Sequence, residues 1–299
     1  MGESSKIEWT DATVNFWWGC TKVGPGCDHC YAEAFDKRVG GAHWGLDAPR
    51  RKIASAPALI HKLDNQYSDW AADAECARGN AAAFGQPIPN MANRRRVFIQ
   101  SMSDLFDLEV PLEWFAEAWG LIESCNRIDI QIVTKRVSAV AKRLSEVGCT
   151  TWPKHAGLII TVVNQEEANR DIPRLLALKA KFYIPWVGLS IEPMLGPIDL
   201  RSAIGIHPDS GAAYAAVRVG QLLDWVICGG ESGGGARPMD QDWARSLRDQ
   251  CEIAGVPFMF KQHGAFVPDV HGRYRKVSKK IAGRLLDGIE HNGFPEVRA

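Results

Sequence analysis

Three cysteines stand within eleven residues, at Cys20, Cys27 and Cys30, in the order C-x6-C-x2-C. Gly24, Pro25 and Gly26 lie between the first two. Proline fixes φ and glycine tolerates positive φ, so this loop can turn its thiols toward one point. Three convergent thiolates suit a metal group that keeps one position open. That group is either an iron–sulfur cluster with one iron free of thiolate or a zinc ion completed by a fourth ligand. Under the zinc reading His43 and His263 are the candidate fourth ligands. Close packing of ordinary reduced thiols is the weaker explanation, because the Cys27-x2-Cys30 pair seldom arises for packing alone. Cys125, Cys149 and Cys251 fall in or beside regular elements and read as packing residues.

Such a loop needs a scaffold. Val14–Gly19 reads as a first strand and Tyr31–Arg38 as a helix, so the order is strand, cysteine loop, helix. Helical sequence follows from about Pro57 to Trp70, with an Ala-rich piece to Ala83 and a loop over 85–93. From Val97 the pattern repeats. Continuously apolar runs at 97–101, 128–133, 157–163, 186–191, 225–228 and 257–260 are separated mainly by helical stretches, the last over about Gln241–Ala254. Runs of that kind are strands covered on both faces, and their alternation with helices implies βαβ units and a parallel sheet. Seven strands suit a partial or full TIM-like (βα) barrel, with an open doubly wound sheet as the alternative. The whole chain, 1–299, reads as one α/β domain, with 40–96 an insertion or lid and 264–299 a C-terminal extension.

Every apolar run ends in polar residues, and in a parallel sheet those ends share one edge, where ligands bind. Ser101, Ser103 and Asp104 follow the second run. Thr134, Lys135 and Arg136 follow the third, Asn164 and Gln165 the fourth, Glu192 the fifth, Glu231 the sixth, and Lys261 and Gln262 the last. Any one of them alone could be a helix cap. Six such ends beside a three-thiol loop describe a site.

Composition narrows the class. Lys plus Arg and Asp plus Glu are each 35, so bulk charge gives no argument for a nucleic-acid partner. Arg94–Arg96 and the run Arg273 to Lys280 are locally basic; a solvated surface is the simpler reading of each. No apolar stretch approaches the roughly 20 residues of a membrane span, and the N-terminus has no apolar signal region. Eight cysteines in such a chain read as reduced and cytoplasmic.

The blocks Trp9–Thr13, Gly19–Glu33, Ser101–Phe106 and Thr134–Arg136 resemble a bacterial and phage-associated three-cysteine family of unknown function. Glu192–Asp199, Gly229–Gly233 and Phe260–Gln262 carry the same resemblance. That family in turn resembles the radical S-adenosylmethionine (SAM) enzymes, whose usual loop is C-x3-C-x2-C; here the first gap is six. The resemblance implies a [4Fe-4S] cluster on Cys20, Cys27 and Cys30, with SAM chelated by the open iron and cleaved to a 5′-deoxyadenosyl radical. It implies cofactor-binding roles for the strand ends: the second-strand position for Ser101, Ser103 and Asp104, the SAM carboxylate for Lys135 or Arg136, and the ribose for Glu192. Thr134 and Glu231 are carried with them. It also implies Cys228 as a candidate hydrogen-atom donor, and an electron donor of flavodoxin or ferredoxin type. The substrate implied is a nucleic acid or nucleotide, modified or repaired, and a partner protein is allowed. The competing reading is a zinc-stabilised binding protein, recognising nucleic acid or a partner without catalysis.

Overall fold

A computed structural model describes residues 2–206, 211–269 and 272–295. Its sheet has seven strands, all parallel and in sequential order: β1 (Ala12–Val14), β2 (Arg96–Ile99), β3 (Asp129–Thr134), β4 (Ala156–Thr161), β5 (Val187–Ile191), β6 (Trp225–Gly229) and β7 (Phe258–Gln262). The order never reverses, which removes the doubly wound alternative, since that fold needs a switch point. With right-handed crossovers, sequential parallel strands send every connecting helix to one face.

The helices on that face are α2 (Ala56–Asn65), α4 (Leu112–Ser124), α5 (Val137–Glu146), α6 (Gln165–Phe182), α7 (Leu200–Ala203), α8 (Ala212–Leu222) and α9 (Gln241–Ala254). They pack on alternate strand residues such as Val97, Ile130, Leu158, Leu189, Val226 and Phe260, forming the larger core. Asn164, Asp199 and Asp240 accept hydrogen bonds at the N-termini of α6, α7 and α9, as side-chain caps do.

The other parity builds a second core from Trp9, Phe98, Ile159, Trp186, Trp225 and Met259. Trp9 lies 4.7 Å from Phe98 on β2 and 6.2 Å from Trp225 on β6, strands four places apart. A flat sheet could not allow this, so the sheet is curled with the aromatic residues plugging its N-terminal end. Gly157 makes room for the plug: a Cβ there would stand 2.0 Å from the Trp186 ring.

β1 and β7 are the sheet's two edges, so the barrel is partial. The gap is filled from both ends of the chain. Phe294 stacks on Trp225 at 5.4 Å under the Arg96 guanidinium, and Lys279 pairs with Glu8 at 3.0 Å. Isolated antiparallel bridges, Gly2 to Thr13 and Asn292 to Met259, cover the two edges.

Several sequence expectations shift. The sheet strand is Ala12–Val14, not Val14–Gly19; Trp17–Trp18 instead pairs with Arg51–Lys52 in a small ribbon. The helical region after residue 56 is two helices, α2 and α3 (Tyr67–Ala83), broken at Gln66. α2 is the β1–β2 crossover and sends Ile60 and Leu63 into the main core, while α3 is largely exposed. Of residues 40–96, only Trp44 lines the cavity described below. The C-terminal extension carries a ribbon, Phe266–Pro268 with Tyr274–Lys276, and the short α10 (Lys279–Ala282). Residues 270–271 and 296–299 of that extension lie outside the described residues. The Arg94–Arg96 cluster is structural: Arg94 pairs with Asp129 at 2.6 Å and Arg96 with Asp11 at 2.9 Å. Among the described residues no helix is long and apolar enough to cross a membrane.

Candidate active site

Above the aromatic plug, at the C-terminal ends of the strands, lies a cavity of about 370 Å³. Cys20, Cys27 and Cys30 all line it. Residues 25–27 form one 3-10 turn, and Cys30 sits at the N-terminus of α1 (Tyr31–Arg38) with its thiol free of any capping bond. The glycines act here by lacking a Cβ, not through positive φ: Gly24 is extended at φ −176°. A Cβ on Gly26 would stand 2.7 Å from Val163, and one on Gly24 would stand 2.7 Å from the Glu167 carboxylate. The loop therefore lies directly on the end of β4.

The strand ends supply the opposite walls. After β2, Ser101, Ser103 and Asp104 reach the cavity. Asn15 ties them to β1, donating to Ser101 Oγ at 3.0 Å and accepting from Met102 N at 2.7 Å. Ser103 Oγ donates to the Trp17 carbonyl, and the Tyr31 hydroxyl to that of Ser101. Asp104 is buried and accepts from Thr134 Oγ1 at 2.8 Å, from Lys135 N at 2.9 Å and from Phe106 N at 3.0 Å. Burial pushes its carboxyl pKa up, against the pull of Arg136 and these donors.

After β3, Thr134, Lys135 and Arg136 also line the cavity, but their tasks differ. Arg136 donates to the Thr21 carbonyl at 2.7 Å and to Cys20 Sγ at 3.4 Å, and stands 3.6 Å from Asp107. Burial works against its charge, yet Asp104, Cys20 and Asp107 drive its pKa upward. The same burial pushes the Cys20 thiol up to about 12, with Asp104 adding to the shift and Arg136 opposing it. Lys135 comes up beneath Gly26, and its ammonium makes no ion pair among the described residues.

From β5 come Ser190 and Glu192, joined through a cis Glu192–Pro193 bond to the next loop. Glu192 pairs with Lys261 of β7 at 3.2 Å. Glu231, after β6, is buried and held by Arg237 through bonds of 2.8 and 2.9 Å. Every strand-end residue assigned a cofactor role from sequence thus borders one cavity.

Cys228 does not. It lies on the helix side of β6, fully buried, with its sulfur 3.6 Å from that of Met194. Strand parity explains the placement: Ile227 and Gly229 face inward, so Cys228 faces out. Asn164 and Gln165 also serve structure; Asn164 caps α6, and Gln165 joins the backbone of Asp199. His43 is bound to Asp36 at 2.8 Å and His263 to the Leu285 carbonyl at 2.8 Å, and neither lines the cavity.

Sequence reasoning missed the residues that fasten the loop. Arg237 bridges Glu231 to the Pro25 carbonyl and Asp28. Arg50 is buried between Asp107 at 2.9 Å and Glu109 at 3.1 Å and donates to Thr21 Oγ1 at 2.7 Å. Neither arginine belongs to a periodic pattern; Arg237 is a single cation after a glycine run, and Arg50 opens the basic triplet Arg50-Arg51-Lys52.

Cys20, Cys27 and Cys30 are the thiols that border the cavity. Among the described residues no group of three or more His, Cys, Asp or Glu gathers as the ligands of one metal ion would. A four-iron cluster takes each thiolate on a different iron and so does not need its three cysteines gathered at one point. Gln100 Nε2, Arg136 Nε and Gln262 Oε1, buried atoms of cavity-lining residues, also lack hydrogen-bond partners, as befits a wall completed by a polar ligand.

The sequence profile of a family described as "Protein of unknown function (DUF5131)" matches residues 4–295. No curated protein matches the chain. Two solved structures are similar at the level of shape. "Spore photoproduct lyase complexed with dinucleoside spore photoproduct" has a TM-score of 0.39 at 13% identity, covering 83% of this chain and 62% of that one. A cysteine-to-serine mutant of spore photoproduct lyase has a TM-score of 0.38 at 12% identity, covering 93% and 71%. The chain thus spans under two thirds of the first of these.

Proposed function

The chain belongs to the DUF5131 family, whose description names no activity, and from its own cavity we propose that it is a radical SAM-like enzyme acting on a nucleic acid or nucleotide. One observation carries the reading: three thiols and the polar ends of strands β2, β3, β5, β6 and β7 border a single cavity. Cys20, Cys27 and Cys30 would hold a [4Fe-4S] cluster, which would supply the one electron that breaks the C5′–S bond of SAM to give methionine and a 5′-deoxyadenosyl radical.

The chain's residues do the rest. Lys135 carries the positive charge left for the carboxylate of SAM, because Arg136 is committed to Thr21, Cys20 and Asp107. Glu192, held by Lys261, offers an acceptor for the ribose hydroxyls. Asp104 fixes Thr134 and the start of the Lys135 loop, so the anion-binding cation has a defined base. Trp9 and Phe98 line the lower part of the cavity, where they exclude water from a reactive intermediate. The electron comes from a small redox protein of flavodoxin or ferredoxin type. Cys228 has no part in this reading.

The test is product analysis after anaerobic reconstitution. Incubation with SAM and dithionite yields 5′-deoxyadenosine from the native protein and none from Cys30→Ala. Lys135→Ala raises the SAM concentration needed without removing the iron. A reconstituted protein that leaves SAM intact overturns the proposal.

A further inference from the structure

The cavity opens sideways into a second, wider groove of about 800 Å³. The two share Lys22, His29, Cys30, Tyr31 and Ser232. Three rings line the groove: Trp18, Phe35 and Tyr31, the last 59% exposed. Trp18 and Phe35 meet edge to face at 5.7 Å. Each carries a guanidinium over its face: Arg51 lies 4.4 Å from the Trp18 ring and Arg38 lies 5.0 Å from that of Phe35.

The charges do not balance here. Glu33 is shared by Lys22 at 3.1 Å and Lys37 at 2.6 Å, and Asp28 is matched by Arg237 at 3.0 Å. Among the described residues Arg38, which lines the groove, and Arg51, which lies against the Trp18 ring at its side, have no carboxylate partner, so Lys22, Lys37 and Arg38 outnumber Asp28 and Glu33 along the groove. The C-terminal ribbon adds to its rim. Lys276 donates to the carbonyl of Gly234, a groove residue, and Arg275 beside it is exposed. A chain of zero net charge thus concentrates unpaired cations beside its thiol-lined cavity.

Unpaired cations beside the exposed Tyr31 ring match a ligand that alternates negative charge with flat apolar surface. An acidic protein supplies the charge but does not alternate it regularly with flat aromatic faces. A nucleic-acid duplex keeps its base faces stacked inside. A single strand offers both. We propose that this groove binds single-stranded nucleic acid, with phosphates on Lys37, Arg38 and Arg51, a base against Tyr31, and one nucleotide reaching into the cavity beside Cys30. This deepens the substrate class of the proposed function and rests on it, but is independent of the cluster.

Binding is read by fluorescence anisotropy on the full chain as purified, without reconstitution, using a labelled DNA strand of about twelve nucleotides. The RNA strand and the DNA duplex of the same sequence are run alongside. The single strands are expected to bind, more tightly than the duplex and less tightly as salt rises. Arg38→Glu with Arg51→Glu should weaken binding about tenfold or more at low salt. Lys37→Glu, on an exposed face of α1, is the second variant should the pair fail to fold. Binding unchanged in folded variants overturns the groove and leaves the substrate class standing. Preference for the duplex also overturns the groove. Absence of binding by the native chain, or equal competition by polyglutamate, overturns the nucleic-acid assignment, and SAM cleavage then decides separately whether the enzyme reading survives.

Discussion

Arg237 and Glu231 form a two-point pair, at 2.8 and 2.9 Å, and the same guanidinium reaches the Pro25 carbonyl at 2.8 Å. One side chain therefore holds the loop after β6 against the loop that carries the thiols. Sequence separation makes this unexpected; chemistry makes it economical. A planar fork can serve a carboxylate on one side and a carbonyl on another, which an ammonium does less well.

Arg237→Ala should loosen the cysteine loop more than the fold. Losing charge-assisted bonds of this kind costs about 1–3 kcal/mol in urea unfolding. The telling readout is iron release to a chelator from reconstituted protein, expected to be faster in Arg237→Ala and partly restored in Arg237→Lys. Equal release from native and alanine proteins would show that the clamp does not position the loop.

Cys20 gives a pH signature in the metal-free protein. Its thiol is pushed up to about 12 by burial and Asp104, from an ordinary 9.0. The folded state therefore holds a proton that the unfolded chain releases, so this group lowers stability as pH rises from about 9 toward about 12. Iodoacetamide at pH 8 should modify Cys20 more slowly than the exposed Cys76. Arg136→Gln, which removes the guanidinium beside Cys20, should slow that reaction further. Faster alkylation in the variant would contradict the assigned contact.

Asp104 has the same sign in a lower window. Because burial raises its carboxyl pKa, stability falls as pH climbs from about 4 through the raised value. Asp104→Asn removes that slope while keeping an oxygen for Lys135 N. Urea unfolding at several pH values measures it; an unchanged slope in the variant would mean another group is responsible.

The aromatic plug is tested by Gly157→Ala. The added methyl meets the Trp186 ring, and displacing a buried indole should cost about 1–3 kcal/mol or more. Near-ultraviolet circular dichroism should change with it. A neutral substitution would show that the curled sheet has slack at its base.

The strand ends were legible because a parallel sheet with one polar residue cluster after each apolar run leaves few places for those clusters to go. That Cys20, Cys27 and Cys30 share one cavity was legible from their spacing. What sequence could not show was parity at a strand end, which turned Cys228 away from the cavity while Ser190 faced it. It could not show long-range fasteners either: Arg50 to Asp107 and Arg237 to Asp28 join segments whose contact depends on the completed fold. The first strand was misplaced because aromatic, β-prone Trp17–Trp18 outweighed the shorter Ala12–Val14, which pairs with β2 only once the sheet exists.

The proposed function rests on Cys20, Cys27 and Cys30 holding a cluster whose open iron meets SAM. The direct measurement is iron and sulfide content of anaerobically reconstituted protein, with the electron paramagnetic resonance spectrum of the reduced form recorded before and after SAM. About four irons per chain, as a [4Fe-4S] cluster requires, and a spectrum altered by SAM are expected. Zinc that persists through reconstitution, or a reduced cluster whose spectrum ignores SAM, would contradict it.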